Sequence, residues 1–293
     1  MRLTTVVSGD AEVCALVARQ GLIAVEDVNG ELGVSWETDL FELIRRNKIP
    51  EMTGWFNDGG REEIESLKGC VLPFGEARYA PLYRGPRKIF GIGLNYADHA
   101  GDLFEDAPTG IPASFFKPAT AIIGHGDEIK IPLQSRKTTA EAELGVIIGR
   151  DCSNIEREDW LDYVAGFTAI IDITAEDILR LNPRYLTHAK SFETFFSFGP
   201  HLVTPDEIPD VSALRVRTVL NGRVHAENVV ANMTFPPDFL VAFHSKVFRW
   251  QPGDILSTGT PRAARIQRGD VAECRIDGFE PLKNPVADEG QHP

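Results

Sequence analysis

The segment Thr138-Thr-Ala-Glu-Ala-Glu-Leu-Gly-Val-Ile-Ile-Gly149 runs from two isolated acids into an unbroken apolar stretch. Residues 144–148 lack the polar alternation of a half-solvated strand. They therefore read as a strand covered on both faces, with Glu141 and Glu143 at its mouth. Side chains two residues apart on a strand share a face, which puts both carboxylates into one small volume. Like charges repel there unless a cation lies between them. A second apolar stretch, Val164-Ala-Gly-Phe-Thr-Ala-Ile-Ile-Asp172-Ile, carries a third isolated acid. Three carboxylates converging from two buried strands form an oxygen-only donor set suited to Mg²⁺, with Mn²⁺ or Ca²⁺ as alternatives. The competing readings are a Glu pair on a solvent face, and an Asp172 satisfied by backbone N–H groups or an arginine.

At 293 residues, 43% of them hydrophobic, the chain is long enough for one large domain or one plus a small appendage. No apolar run approaches the ~18 residues of a membrane span. The start, Met1-Arg-Leu-Thr-Thr-Val-Val-Ser-Gly-Asp10, has no signal-peptide pattern, so the expected location is the cytoplasm. Cys14, Cys70, Cys152 and Cys274 are scattered without a Cys-x-x-Cys pair and read as reduced thiols. A formal charge of −13, with pI near 5.0, gives no long-range attraction for nucleic acid or an anionic membrane. The expected partner is a small molecule.

Outward from the two acidic segments, a Pro- and Gly-rich connection at residues 73–86 marks a boundary at about residue 84. Residues 1–84 read as a small α+β domain, with strands at 3–7 and 22–25 and helices at 39–46 and 61–68. Residues 85–293 read as a strand-rich α+β domain, with strands at 88–93, 121–124, 144–148, 163–173, 214–220, 254–257 and 270–276. Asn221-Gly222 between apolar runs predicts a hairpin, because both residues accept positive φ. Helices are expected at 156–161 and 236–244, and in the short stretch after Tyr96.

Two further groups carry candidate chemistry. In Gly91-Ile-Gly-Leu-Asn95-Tyr96-Ala-Asp-His99-Ala-Gly-Asp102, His99 and Asp102 stand three apart, side by side if helical, and a carboxylate beside an imidazole orients it and raises its basicity. Lys190 lies in an otherwise apolar stretch, and Thr258-Gly259-Thr260 forms a small turn with donors for an anionic ligand. A surface His–Asp pair, a surface ion pair and an ordinary turn are the plain alternatives.

The order of these motifs resembles the fumarylacetoacetate hydrolase family. The matching segments are Lys88-Ile-Phe-Gly-Ile-Gly-Leu-Asn-Tyr-Ala-Asp-His99, Phe116-Lys-Pro118, Ala121-Ile-Ile-Gly-His-Gly-Asp127, Glu141-Ala-Glu143-Leu, Gly166-Phe-Thr-Ala-Ile-Ile-Asp172, Lys190-Ser-Phe-Glu-Thr-Phe, Leu220-Asn-Gly222 and Pro252-Gly-Asp-Ile-Leu-Ser-Thr-Gly-Thr-Pro261. The resemblance implies a mixed β-roll catalytic domain behind a small N-terminal domain, assembled as a homodimer. It implies Glu141, Glu143 and Asp172 as ligands, usually of Mg²⁺, and His99 with Asp102 as the pair that prepares a water. It places Lys190 in catalysis and Asn95, Tyr96, Lys117, Gly259 and Thr260 against the substrate. The implied reaction is hydrolysis of a C–C bond in a β-diketone or acylpyruvate through a metal-stabilised enolate, as in the breakdown of aromatic compounds.

Three positions depart from the family pattern. Glu176 stands where an arginine is common, with Leu179 in place of a glutamine, and a glutamate cannot grip a carboxylate as an arginine does. Arg180 or Arg184 is near enough in sequence to take that part. Asp102 replaces a longer glutamate, and Arg-Ala-Ala follows Pro261 without the usual glycine. These changes favour weighing two other readings beside the hydrolase: a decarboxylase or tautomerase of a small 2-oxo acid such as oxaloacetate, and a catalytically weak metal-bound ligand-binding protein.

Overall fold

The computed structural model describes residues 1–96 and 110–290. His99 and Asp102, and the expected helix after Tyr96, lie outside the described residues. The N-terminal part contains β1 (Arg2–Ser8), β2 (Ala11–Ala18), β3 (Gly21–Ala24) and β4 (Val71–Leu72). Between β3 and β4 run the helices α1 (Val25–Leu32), α2 (Leu40–Arg45), α3 (Ile49–Trp55) and α4 (Arg61–Ser66). Then follow β5 (Ile89–Gly93), β6 (Ala113–Lys117), β7 (Ile122–Ile123), β8 (Ile129–Ile131), β9 (Thr138–Ile148) and β10 (Val164–Ala175). Two short helices, α5 (Glu176–Leu181) and α6 (Leu186–Lys190), lead into β11 (Phe196–Val203), β12 (Arg215–Leu220) and β13 (Arg223–Val229). Helix α7 (Pro237–Ser245) precedes β14 (Ile255–Ser257), β15 (Ala264–Arg265), β16 (Val271–Ile276) and β17 (Leu282–Asp288).

The large sheet has the order β4-β3-β2-β1-β11-β10-β9-β14-β5-β6, with β15 pairing β9 and β7 pairing β11 beside that path. It is mixed: β10 runs antiparallel to both β9 and β11, while β14 and β5 are parallel. Strand β1 pairs with β11, so hydrogen bonding continues from the N-terminal strands into the rest of the sheet. A second sheet, β13-β12-β16-β17-β8, packs over β9 and β10 through β12 and β16. Every residue of β9 and β10 is buried as a result, which is why both segments are apolar without alternation.

Several elements extend or alter the sequence reading. Strand β9 starts at Thr138, six residues before the apolar run, so Glu141 and Glu143 lie within the strand and not at its mouth. Residues 157–163 form consecutive 3₁₀ turns in place of the expected α-helix, ending where Val164 enters β10. The Asn221–Gly222 hairpin joins β12 and β13, with φ of 52° and 76°. Strands β2, β4, β6, β8, β11, β15 and β17 add to those expected. No helix among the described residues is long and apolar enough to cross a membrane.

Candidate active site

Strand register gathers the three acids. Asp172 lies opposite Glu141, and Ile170 lies opposite Glu143, so the side chains of Glu141, Glu143 and Asp172 share one face of the β9–β10 pair. They are 8%, 1% and 0% exposed, and one carboxylate oxygen from each lies within 4.8 Å of the others.

Neighbouring donors fix each carboxylate. Ser257 Oγ on β14 donates to Glu143 Oε2 at 2.5 Å, and the Gly259 N–H donates to the same oxygen at 2.7 Å. That leaves Oε1 of Glu143 without a hydrogen-bond donor among the described residues. Thr174 Oγ1 donates to Glu141 Oε1 at 2.9 Å, two residues along β10 from Asp172 and on the same face. Lys190, at the end of α6, bridges Glu141 Oε2 at 2.9 Å and Asp172 Oδ2 at 2.5 Å. Lys117, the last residue of β6, donates to Asp172 Oδ1 and, at 2.9 Å, to the Ile173 carbonyl. The Lys190 ammonium also sits 4.6 Å from the centre of the Phe115 ring, a cation–π contact that keeps the charge in place without a further anion.

The electrostatics follow from burial. Among the described residues three carboxylates face two ammonium groups, so with all of them ionised the set is short of positive charge by one. Burial, then the neighbouring Asp172, pushes the Glu143 carboxyl up to about 8. Burial also raises Asp172, but Lys117 and Lys190 outweigh it and hold that carboxyl below its ordinary value. For Lys190 burial works against the charge, and Asp172, Glu141 and Glu143 together more than reverse it, leaving the ammonium strongly favoured. Lys117 is left near 8, because burial outweighs its contact with Asp172. An oxygen-only, charge-deficient, buried donor set fits a hard divalent cation.

The remaining candidates fall into two groups. Lys117, Lys190 and Gly259 touch the carboxylates, and Thr260 follows Gly259 with its hydroxyl donating weakly to the Arg262 carbonyl at 3.3 Å. Asn95 is wholly buried and spends both amide hydrogens on the Phe235 and Thr258 carbonyls, at 2.9 and 2.7 Å, while accepting from the Phe235 N–H at 2.8 Å. It ties the end of β5 to the loop that carries Gly259. The close approach demands a glycine: at φ +97° a Cβ on residue 259 would come within 2.8 Å of Asn95 Cβ. Tyr96 is also wholly buried, and its hydroxyl has no hydrogen-bond partner among the described residues. Burial first, then Glu143, raises that phenol. Sequence reasoning did not single out Thr174 or Phe115, and named Ser257 only as part of the donor-bearing segment 257–261. Thr174 was open to discovery, being the one hydroxyl two residues from Asp172, whereas Ser257 and Phe115 reach the site only through strand pairing and packing.

Residues 88–287 match the family model described as the fumarylacetoacetate (FAA) hydrolase C-terminal domain. The chain is 37% identical over 216 residues to the oxaloacetate tautomerase fahd2 of Xenopus laevis, a mitochondrial protein, covering 71% of this chain and 67% of that one. Among solved structures, the 5-carboxymethyl-2-hydroxymuconate delta-isomerase from Mycobacterium smegmatis aligns with a TM-score of 0.75 and 27% identity over 99% of this chain and 100% of that one. Maleylpyruvate hydrolase from Sphingobium sp. SYK-6, solved with manganese(II) and pyruvate, shares the fold with a TM-score of 0.80 at 24% identity, over 99% of this chain and 100% of that one. With a family model spanning more than half of its length and a relative this similar, the chain belongs to the fumarylacetoacetate hydrolase family.

Proposed function

We propose that Glu141, Glu143 and Asp172 hold a divalent cation, Mg²⁺ or Mn²⁺, and that the protein is an enzyme that cleaves a C–C bond in a β-diketone or acylpyruvate-type substrate. The observation that carries this reading is the convergence of three buried carboxylates, matched in register, within 4.8 Å. A cation bound there would supply Lewis acidity to adjacent oxygens of an oxo-acid substrate. The chain's own residues do the rest. Ser257 and Gly259 hold Glu143 so that one oxygen stays directed at the ligand. Lys190, held charged by its three acidic neighbours, offsets negative charge that develops on the substrate. Tyr96 has an unspent buried hydroxyl, and Thr260 a weakly engaged one, for substrate oxygens. In a hydrolase, His99 and Asp102 would take a proton from the attacking water.

The test is a substrate panel of acylpyruvates with Mg²⁺ or Mn²⁺, beside Glu143→Ala. Metal-dependent turnover that disappears in E143A, together with loss of metal binding by calorimetry, is expected. Metal-independent turnover, or unchanged metal affinity in E143A, would overturn the reading. The second reading, a tautomerase or decarboxylase of a small 2-oxo acid, is favoured by the 37% identity to the Xenopus laevis tautomerase. His99→Ala separates the two: hydrolysis needs an activated water and should be lost, whereas proton transfer on the substrate alone should persist.

A further inference from the structure

The Lys190 ammonium is held by three neighbours of two kinds. It donates to Glu141 Oε2 at 2.9 Å and to Asp172 Oδ2 at 2.5 Å. Both acids belong to the set assigned above to a divalent cation, so with that ion bound their oxygens are engaged by it and the ammonium is repelled by like charge. The third neighbour is the Phe115 ring, whose centre lies 4.6 Å from Nζ. A ring face carries negative potential but offers no oxygen to a hard cation, so this contact is the one that metal binding leaves intact. Strand alternation and one glycine build it. On β6, Phe115 and Lys117 turn to the buried face, 7% and 5% exposed, while Phe116 between them points outward and is 51% exposed. Phe115 stands directly opposite Gly91 on β5. A Cβ on residue 91 would come within 2.3 Å of the tip of the Phe115 ring, so the ring lies across β5 where a side chain would otherwise stand. Gly91 is not among the glycines with positive φ, so here the glycine supplies space and not a special backbone angle. Ring and ammonium are both buried, where water competes least with the attraction between them.

We propose that Phe115, laid across Gly91, is a positioning residue for Lys190: its ring face keeps the ammonium at the site while a cation engages Glu141 and Asp172, and so sets the affinity for an anionic ligand beside that cation. This rests on the reading above of the three acids as cation ligands and of Lys190 as the group that meets negative charge on the ligand. The link is one of population. When the ammonium is in place for only a fraction of the time, the apparent dissociation constant of an anion that needs it rises by the inverse of that fraction. In the cation-free protein the same ring contact matters less, because Glu141 and Asp172 hold Lys190 directly.

The experiment replaces Phe115 in turn by 4-fluoro-, 3,5-difluoro- and 3,4,5-trifluorophenylalanine, which keep the shape of the ring and step down the negative potential of its face. Oxalate binding to the Mn²⁺-loaded protein is read by calorimetry. Affinity should fall in successive steps along the series, to about tenfold weaker with three fluorines. Cyclohexylalanine at 115, which fills the same space without a π face, should weaken binding as much as the trifluoro ring. A role in packing alone predicts a flat series and wild-type affinity with cyclohexylalanine, and direct contact of the ring with oxalate predicts affinity that rises with fluorination. Either result overturns the proposal. The two readings fail differently. If oxalate binds only with Mn²⁺ and the series is flat or rising, the role of Phe115 alone falls; if oxalate binds as well in EDTA as with Mn²⁺, the cation reading falls with it.

Discussion

Replacing Glu143 by glutamine should make the metal-free protein more stable and the metal-loaded protein less so. Glu143 is almost wholly buried, and its carboxyl is pushed from 4.5 up to about 8. An acid whose folded value lies above its unfolded one weakens the fold as pH rises, from the unfolded value to the folded one. At pH 7 that gap is worth about 3 kcal/mol, taking 1.36 kcal/mol per pH unit between 4.5 and 7. Glutamine keeps an oxygen to accept from Ser257 and Gly259 but carries no charge to desolvate. For a chain of this size about 3 kcal/mol corresponds to a rise of roughly 6 °C in Tm. With Mn²⁺ at a hundredfold excess over Kd the wild type should gain about 2.7 kcal/mol, and E143Q little of it. Thermal unfolding followed by circular dichroism, in EDTA and in MnCl₂, measures both. The reasoning fails if E143Q in EDTA at pH 7 is no more stable than the wild type, if its advantage does not shrink towards pH 4.5, or if Mn²⁺ stabilises both equally.

Ser257→Ala removes the 2.5 Å bond that fixes Glu143, and should weaken Mn²⁺ binding about tenfold by calorimetry with little change in the metal-free Tm. Metal affinity should rise about tenfold per pH unit between pH 6 and 8 and level off above, because Glu143 must lose its proton to ligate. Titrations in two buffers of different ionisation enthalpy should count close to one proton released at pH 7. Gly259→Ala forces a Cβ towards Asn95 at a φ that L-residues avoid, costing about 1–3 kcal/mol and displacing the N–H that holds Glu143, so both Tm and metal affinity should drop.

The strands that carry the acids were legible because both are buried on both faces, which writes an unbroken apolar run into the sequence. The pairing of Asp172 with Glu141 was not, since register is set by turns and packing across a separation of 31 residues, and not by local composition. Strand β11, Phe196-Ser-Phe-Gly-Pro-His-Leu-Val203, was hidden by Gly199-Pro200, a dipeptide that ordinarily punctuates structure. Strand β17 was hidden in the same way by Pro285. Lys190 was visible as an isolated cation in an apolar stretch, but its bridge between Glu141 and Asp172 required the fold. Glu176 looked from sequence like the loss of an anion grip; in the fold its carboxylate gathers Lys137 and Arg180.

The central claim is that Glu141, Glu143 and Asp172 together ligate one divalent cation. Anomalous diffraction from crystals grown with Mn²⁺ tests it most directly. The account predicts one strong anomalous peak within coordination distance of a carboxylate oxygen from each of the three residues. A peak elsewhere, or none at this cluster with Mn²⁺ present in excess, would contradict it.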